Sequence, residues 1–208
     1  MTTPVVYLHG FASGATSSKA RFFQERFGPS GRAIDVPDLV EGAFADVTLT
    51  GQLQVVDRVC AGRPVSLIGS SMGGYLAALY AAAHPEVDRL VLLAPAFDFA
   101  ARWSRWLGEE AMLEWRRSGR LKVFHYGEKR EAEVGYRLIE DASVYPPFPE
   151  VRQPVLILHG LKDDVVSVDS SREFVRRRPQ TVLRTLDSGH QLLDVLEQVW
   201  TETERFLA

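Results

Sequence analysis

Short apolar segments alternate along the chain with segments of helical composition, and this alternation is the feature that most restricts the fold. Near-continuous apolar runs, bounded by turn-forming or charged residues, predict buried strands. The six runs are residues 4–10, 32–39, 63–69, 88–95, 153–160 and 181–190. The helical segments between and after them are 17–28, 48–62, 72–85, 168–178 and 191–208. Strands apolar on both faces and separated by helices predict an α/β fold with a doubly wound, mostly parallel sheet.

Residues 96–150 interrupt this alternation. They contain three of the four tryptophans (Trp103, Trp106 and Trp115), and residues 121–139 have the pattern of a hairpin around a charged turn. An insertion after the fourth strand is expected to lie over the carboxyl ends of the strands, where open α/β sheets bind ligands. We therefore predict one domain over residues 1–208 with a helical and hairpin cap at 96–150. The alternative is a peripheral subdomain whose tryptophans only pack on the sheet.

Composition excludes several classes of function. A formal net charge of −3, spread over both signs, does not favour nucleic-acid binding. Cys60 is the only cysteine, which excludes an internal disulfide and metal sites built on several thiolates. No cluster has metal-ligand spacing, and we expect no cofactor. No apolar run reaches ~18 residues. We therefore expect neither a signal peptide nor a membrane span, and a cytoplasmic location.

The pentapeptide from Gly69 to Gly73 predicts a nucleophile at Ser71. It has the pattern G-x-S-x-G between a predicted strand and a predicted helix. In such a turn the serine backbone is strained, and a Cβ at either glycine would crowd the crossing strand and helix. Ser70 occupies the x position, so we expect its side chain to point elsewhere. The alternative is an ordinary Gly-Ser turn.

A serine hydroxyl is a poor nucleophile near neutral pH unless a base removes its proton and a carboxylate orients that base. His190 is the predicted base, because it follows the last strand on a loop and is preceded by a glycine. The other histidines fit other roles. His84 is expected at the surface, and His125 is expected to be exposed in the hairpin or to touch substrate. His9 and His159 each begin an HG turn and are expected to bond local backbone.

Three aspartates are candidates for the acid: Asp163 and Asp164 after the fifth strand, and Asp98 after the fourth. Together the motifs resemble the α/β-hydrolase fold, whose acid loop is similar to the H-G-x-x-D pattern after the penultimate strand. The resemblance implies that Asp163 orients His190. It implies that Asp164 caps the loop or faces solvent, and that Asp98 is the rival because some members carry their acid there.

A closer resemblance covers the sheet and the loops of the predicted site. "YLHGFASGATSSKA" (7–20) and "IGSSMGGYLA" (68–77) resemble the start of the small YqiA-type esterases. "LHGLKDDVV" (158–166) is similar to the mitochondrial acyl-thioesterases and acyl-glucuronide esterases of the same fold. The oxyanion hole needs two backbone N–H donors. Met72, which follows the serine, supplies one, and the resemblance assigns the other to Phe11. The tryptophan-rich insertion departs from the YqiA-type esterases, whose insertion is smaller.

The expected activity is hydrolysis of carboxylic esters or thioesters of small to medium acyl substrates through an acyl-enzyme. Phe97, Trp103 and Trp106 are candidates to line an apolar acyl pocket. Other reactions with the same triad stay open, namely C–C bond hydrolysis, perhydrolysis and peptide cleavage, because fold and triad do not determine the substrate. From another class, the chain could be a non-catalytic, ligand-binding member of the fold.

Overall fold

The computed structural model describes residues 3–208. The strands are Val5–Leu8 (β1), Ile34–Asp35 (β2), Val65–Ser70 (β3), Val87–Leu93 (β4), Arg120–His125 (β5), Arg130–Gly135 (β6), Val155–Gly160 (β7) and Val182–Leu186 (β8). The α-helices are Ser18–Phe27 (α1), Leu49–Cys60 (α2), Met72–Ala83 (α3), Phe99–Leu107 (α4), Glu109–Ser118 (α5), Arg137–Ala142 (α6), Val168–Arg177 (α7) and Leu196–Leu207 (α8).

Six of these strands form one parallel sheet in the order β2-β1-β3-β4-β7-β8, which confirms the predicted fold class. The chain leaves β1 for β2 on one side and returns to β3 on the other. The strand order therefore reverses at β1. In open α/β sheets the crevice at such a point, beyond the carboxyl ends of the strands, is where ligands bind. The loops after β1 and β3 border this crevice.

Alternate strand residues face opposite sides of the sheet, and helices cover both sides. Val6 and Leu8 belong to a core formed with α2, α3 and α7. Val5 and Tyr7 belong to a second core formed with α1 and α8. Because successive side chains of a strand point to opposite faces, a strand covered on both sides must be apolar throughout. This explains the continuous apolar runs in the sequence.

Residues 96–150 form α4, α5, the β5–β6 hairpin and α6. Trp103 packs edge-on against the ring of Phe11 with 5.4 Å between ring centroids. At the hairpin turn, the Gly127 N–H donates to the carbonyl of Ala12 at 3.3 Å. Phe11 and Ala12 belong to the loop after β1. The insertion therefore contacts the sheet at the carboxyl end of β1.

Three element boundaries differ from the predictions. The strand predicted at 32–39 pairs only over Ile34–Asp35, at the sheet edge and just before Pro37, which has no N–H to donate. The second hairpin arm ends at Gly135, and α6 follows it. The last helix begins at Leu196 instead of residue 191, because Leu192 has a φ of 55°, which is incompatible with a right-handed helix. Residues 187–192 are therefore a loop, and a 3-10 turn at Leu193–Val195 leads into α8.

The α-helices of the described residues are short, and α2, α3 and α8 have 12 residues each. None in residues 3–208 has both the length and the apolar character that a membrane-spanning helix needs. The cytoplasmic location stays a prediction.

Candidate active site

Ser71 lies at the sharp turn between β3 and α3. Its backbone has φ 54° and ψ −116°, a region that residues other than glycine rarely adopt. A hydrogen bond of 2.8 Å from its N–H to the carbonyl of Leu93 holds this conformation. A Cβ on Gly69 would lie 2.3 Å from the carbonyl oxygen of Gly73, and one on Gly73 would lie 2.1 Å from that of Leu8. The flanking glycines are therefore required by close backbone packing.

His190 links Ser71 to Asp163. Its Nε2 lies 3.1 Å from Ser71 Oγ, and its Nδ1 lies 2.8 Å from Asp163 Oδ2. An ionised carboxylate can only accept hydrogen bonds, so Nδ1 carries the proton of the neutral ring. Nε2 is then free to accept the proton of the serine hydroxyl. The arrangement has the contacts that a nucleophile, a base and an orienting acid require.

The carboxylate of Asp163 is completely buried and has several donors around it. Its Oδ1 accepts the N–H groups of Val165 and Val166 at 2.9 and 2.7 Å. Its Oδ2 lies 2.8 Å from His190 Nδ1 and 3.1 Å from His159 Nε2. Burial alone would raise the pKa of Asp163, but hydrogen bonds from His159 and His190 together lower it well below its ordinary value. Asp163 is therefore ionised at neutral pH.

The rival residues lie elsewhere. Asp164 is exposed to solvent. Asp98 precedes α4 and pairs with Arg105 at 2.9 Å. Among the three aspartates considered, within residues 3–208, only Asp163 accepts a hydrogen bond from His190. Ser70 is the last residue of β3 and is buried.

Two backbone N–H groups beside Ser71 are available to bind an oxyanion. Met72 is the first residue of α3, where an N–H has no acceptor within the helix. Phe11 lies in the loop after β1. A Cβ on Gly10 would lie 3.4 Å from Ser71 Cβ, so this loop passes directly beside the serine. Within residues 3–208 neither N–H donates to a protein acceptor. The role of both as an oxyanion hole stays a prediction.

Two basic side chains that the sequence analysis did not select lie around Asp163. Lys19 is buried and donates from Nζ to the carbonyl of Gln191 at 2.9 Å. Burial lowers the pKa of Lys19 to about 8, while the charge of Asp163 opposes this shift. Burial likewise lowers the pKa of Arg102, against the charge of Asp163. Arg102 Nη1 is buried without a partner among the described residues. The sequence did contain an indication for Lys19, because this residue lies in the 7–20 segment that resembles the YqiA-type esterases.

His159 is the clearest residue that the sequence analysis placed in a lesser role. It does bond local backbone, since Nε2 lies 2.8 Å from the carbonyl of Val166. However, the same Nε2 lies 3.1 Å from Asp163 Oδ2. The H-G-x-x-D motif could have indicated this contact, because it places the histidine four positions before the acid.

The remaining histidines have structural contacts. His9 lies 3.0 Å from the carbonyl of Gly10 and accepts the N–H of Leu39 at 3.2 Å, in line with its expected backbone role. His125 is buried, so the expectation that it is exposed was wrong. Its ring packs edge-on against Phe44 with 4.7 Å between centroids, because the hairpin folds back onto residues 44–46.

The three pocket candidates lie in different environments. Phe97 is completely buried and stacks on Phe174 with 4.4 Å between centroids. Its expected role in the pocket is corrected, because a ring without exposed surface belongs to the core. Trp103 is almost completely buried against Phe11. Trp106 is 72% exposed and touches Trp103 edge-on at 5.4 Å. Contact of these two tryptophans with substrate stays a prediction.

A concavity of about 760 Å³ lies at the amino ends of the strands, opposite the end of the sheet that carries the candidate site. Pro64, Val87 and Gln153 are among the residues that line it, and they lie at the amino ends of strands. Ser71, Asp163 and His190 are not part of its lining. It is therefore separate from the candidate site.

Comparison with known proteins gives a family and several relatives. The model of a family described as "Uncharacterised protein family (UPF0227)" matches residues 4–206. Palmitoyl-protein thioesterase ABHD10, mitochondrial, of Bos taurus is 28% identical over 206 residues, covering 90% of this chain and 67% of that protein. The aligned region thus spans about two thirds of the length of the bovine protein and of its mouse counterpart.

Solved structures match over the whole chain. A protein of Agrobacterium vitis S4 has a TM-score of 0.86 at 22% identity, covering 100% of this chain and 88% of that chain. Mouse alpha/beta hydrolase domain-containing protein 10 has a TM-score of 0.80 at 22% identity, covering 100% and 92%. The α/β-hydrolase fold is confirmed. The resemblance to the esterase and thioesterase members of this fold is confirmed as well.

Proposed function

The chain belongs to the UPF0227 family, and we propose that it is a serine hydrolase that cleaves carboxylic ester or thioester bonds. Its substrates carry acyl groups of small to medium size. The observation that carries the proposal is the line of contacts from Ser71 Oγ to His190 Nε2, at 3.1 Å, and from His190 Nδ1 to Asp163 Oδ2, at 2.8 Å. The bovine relative, named a palmitoyl-protein thioesterase, supports acyl thioesters as part of the substrate class.

In the first half of the reaction, Ser71 becomes acylated. His190 Nε2 takes the hydroxyl proton while Ser71 Oγ attacks the substrate carbonyl carbon. The carbonyl oxygen gains the negative charge of a tetrahedral intermediate. The N–H groups of Met72 and Phe11 stabilise this charge, and loss of one such donor costs about 3 kcal/mol. The intermediate then expels the alcohol or thiol, which receives its proton from His190.

In the second half, water releases the acid. His190 removes a proton from water, and the resulting hydroxide attacks the acyl carbon bound to Ser71 Oγ. Collapse of the second tetrahedral intermediate returns the proton to Ser71 and frees the carboxylic acid. Water is the only co-reactant, so the proposed reaction requires no cofactor.

Asp163 is expected to stay ionised throughout. Its pKa is lowered against the effect of burial by the hydrogen bonds of His159 and His190. An ionised Asp163 keeps the proton of neutral His190 on Nδ1 and stabilises the imidazolium that forms during each step.

The first experiment compares labelling by a fluorophosphonate with turnover of p-nitrophenyl esters and acyl thioesters. The wild type is expected to be labelled at Ser71 and to hydrolyse members of both panels. Ser71→Ala is expected to lose labelling and to reduce kcat by about 10⁴-fold or more while staying folded. The matched control is Ser70→Ala, which removes the hydroxyl of the adjacent buried serine and is expected to keep labelling at position 71.

The acid is tested with a second matched pair. Asp163→Asn is expected to lower kcat by about 10⁴-fold, because an amide can stabilise the wrong tautomer of His190. Asp164→Asn changes an exposed neighbour and is expected to keep the wild-type rate.

Undiminished turnover by Ser71→Ala would contradict the assignment of the nucleophile. A folded wild type that is neither labelled nor active would favour the ligand-binding alternative.

A further inference from the structure

We propose that His159 is a positioning residue that acts through Asp163, and that Ser171 selects the tautomer in which it does so. The inference rests on the proposed function and deepens it, since it adds a second histidine to the same site. It goes beyond the three residues of the triad because the polar partners of His159 are Ser171, Val166 and Asp163, and neither Ser71 nor His190 is among them.

The contacts of His159 form a buried line from α7 to the carboxylate. His159 lies near the end of β7, Ser171 lies in α7, and neither is exposed. His159 Nδ1 lies 2.7 Å from Ser171 Oγ. On the other side of the ring, Nε2 lies 2.8 Å from the Val166 carbonyl and 3.1 Å from Asp163 Oδ2. No part of this line has access to solvent, so each polar atom must be satisfied by these partners.

The partners determine which ring nitrogen carries the proton. Nε2 faces a carbonyl oxygen and an ionised carboxylate, and both can only accept a hydrogen bond. The proton therefore resides on Nε2, which lies 2.8 Å from the Val166 carbonyl and 3.1 Å from Asp163 Oδ2. Nδ1 of the neutral ring is then an acceptor, and the hydroxyl of Ser171 is a donor that fits it. The opposite tautomer would direct a lone pair at two acceptors.

With His159 included, the carboxylate of Asp163 has its full set of donors. An ionised carboxylate offers about four lone-pair sites. Val165 and Val166 occupy Oδ1, while His159 and His190 occupy Oδ2. Two donors on each oxygen oppose rotation of the carboxylate. Its orientation determines the direction of His190 Nδ1–H, and hence where His190 Nε2 meets Ser71.

The nearby cations do not fill this role. The charge of Asp163 acts on Lys19 and on Arg102. Lys19 directs its Nζ at the carbonyl of Gln191, and Arg102 has no hydrogen bond to the carboxylate among the described residues. A charge at a distance attracts the carboxylate but does not determine its rotation. Among the side chains of residues 3–208, His159 is the one besides His190 with a nitrogen within 3.1 Å of Oδ2.

The test replaces His159 with Leu, which has no donor, and with Gln, whose amide N–H reaches the same region. His159→Leu is expected to lower kcat by about 10- to 100-fold, because small misplacements of catalytic groups have effects of this size. KM should change by less than about 3-fold, since His159 does not touch substrate. His159→Gln is expected to stay within about 5-fold of the wild-type kcat, because a donor to Asp163 is retained.

The matched control is Gln153→Leu. Gln153 is also buried, precedes the same strand and donates to the carbonyls of Ala81 and His84, at the other end of the sheet. It is expected to lose stability and to keep its kcat. A wild-type kcat in folded His159→Leu would overturn the proposal. So would a His159→Gln variant as slow as His159→Leu, because the donor would then be irrelevant.

A second measurement uses the wild type and does not depend on how variants fold. Nitrogen-15 NMR of labelled histidine is expected to find His159 protonated at Nε2 and unprotonated at Nδ1. A proton on Nδ1 in place of Nε2 would overturn the proposal. The proposed function is tested separately by labelling and turnover of the wild type. If the wild type had this tautomer but no activity, the proposed hydrolase function would be contradicted and the His159–Asp163 contact would still be supported.

Discussion

At the residue scale, Lys19 illustrates how burial changes the chemistry of a side chain. Its ammonium is buried and, among the residues that the structure describes, has one hydrogen bond, to the carbonyl of Gln191 beside His190. Burial lowers its pKa to about 8, and the charge of Asp163 limits this decrease. In an unfolded chain the pKa is about 10.4. As the pH rises, the folded protein therefore releases this proton before the unfolded chain does.

This difference predicts how stability depends on pH. Between the two pKa values the unfolded state binds more protons, so the free energy of unfolding rises with pH. Relative to Lys19→Met, the wild type is expected to gain about 1 to 3 kcal/mol between pH 7.5 and 10.5. Urea unfolding at both pH values measures the difference. The wild-type contribution of Lys19 is smallest below pH 8 and grows above it.

Lys162 provides the control for this prediction. It is exposed, and the hydrogen bond that its ammonium donates to Asp187 raises its pKa. An ion pair of this kind stabilises the folded protein at lower pH, and this stabilisation is lost as the pH rises. Relative to Lys162→Met, the wild type should therefore gain no stability between pH 7.5 and 10.5. A constant or decreasing difference between wild type and Lys19→Met would contradict the burial argument.

At the element scale, the β3–α3 turn depends on how closely its backbone approaches β1. Gly73 is in the first turn of α3, and its Cα faces the carbonyls of Leu8 and His9. A Cβ there would lie 2.1 and 2.5 Å from those oxygens. Backbone atoms of a central strand cannot yield as a flexible side chain does. The glycine therefore keeps α3 against the sheet and Ser71 at the crevice.

Gly73→Ala is accordingly expected to lower the free energy of unfolding by about 3 kcal/mol or more, because overpacking against backbone forces the elements apart. Gly28→Ala is the matched control. Gly28 has a φ of −48°, and an added Cβ would meet no atom within 4 Å. Its stability should be unchanged or about 0.5 kcal/mol higher. Urea unfolding of both variants gives the comparison, and equal effects would contradict the steric argument.

At the scale of the whole molecule, the insertion and the sheet share one core. Trp103, Trp115 and Val134 of the insertion belong to the same cluster of buried residues as Leu8 and Leu67 of the sheet. The two parts are also joined by Asp141 of α6, which accepts the N–H of Thr50 in α2 at 2.8 Å. A shared core favours cooperative unfolding.

We therefore predict one unfolding transition for the cap and the sheet. Three of the four tryptophans lie in residues 96–150, so tryptophan fluorescence mainly reports the insertion, whereas far-ultraviolet circular dichroism reports the whole chain. The urea midpoints of both signals should coincide. Trp200→Phe removes the tryptophan of α8 and restricts fluorescence to the insertion. A fluorescence midpoint well below that of circular dichroism in this variant would indicate an independently unfolding cap.

The sequence predicted best what depends on local patterns. The six strands follow from apolar runs, and the turn at Ser71 follows from Gly69 and Gly73, whose spacing reflects contacts between neighbouring elements. The aspartate near His190 could be selected from its loop motif. The catalytic roles themselves stay predictions.

The misplaced residues have another origin. Phe97 has the aromatic character of a pocket residue and also of a core residue, and only its neighbours in space distinguish the two. His125 follows a hairpin pattern that does not reveal which side of the hairpin is covered. His159 lies in a motif that indicates a turn. The motif reveals neither the tautomer of the ring nor its contact with Ser171 in another element. In each case the deciding contact comes from another element.

The amino-acid sequence by itself determined the layered α/β architecture, because alternating buried strands and helices can bury their apolar faces in few other ways. It also determined the strained serine turn, which needs glycine on both sides. Tertiary structure alone decided that Ser71 meets His190, 119 positions away. It also decided that Lys19 reaches the carbonyl of Gln191. The physical reason is that local pattern specifies which faces are buried, whereas strand order and packing specify which buried side chains meet.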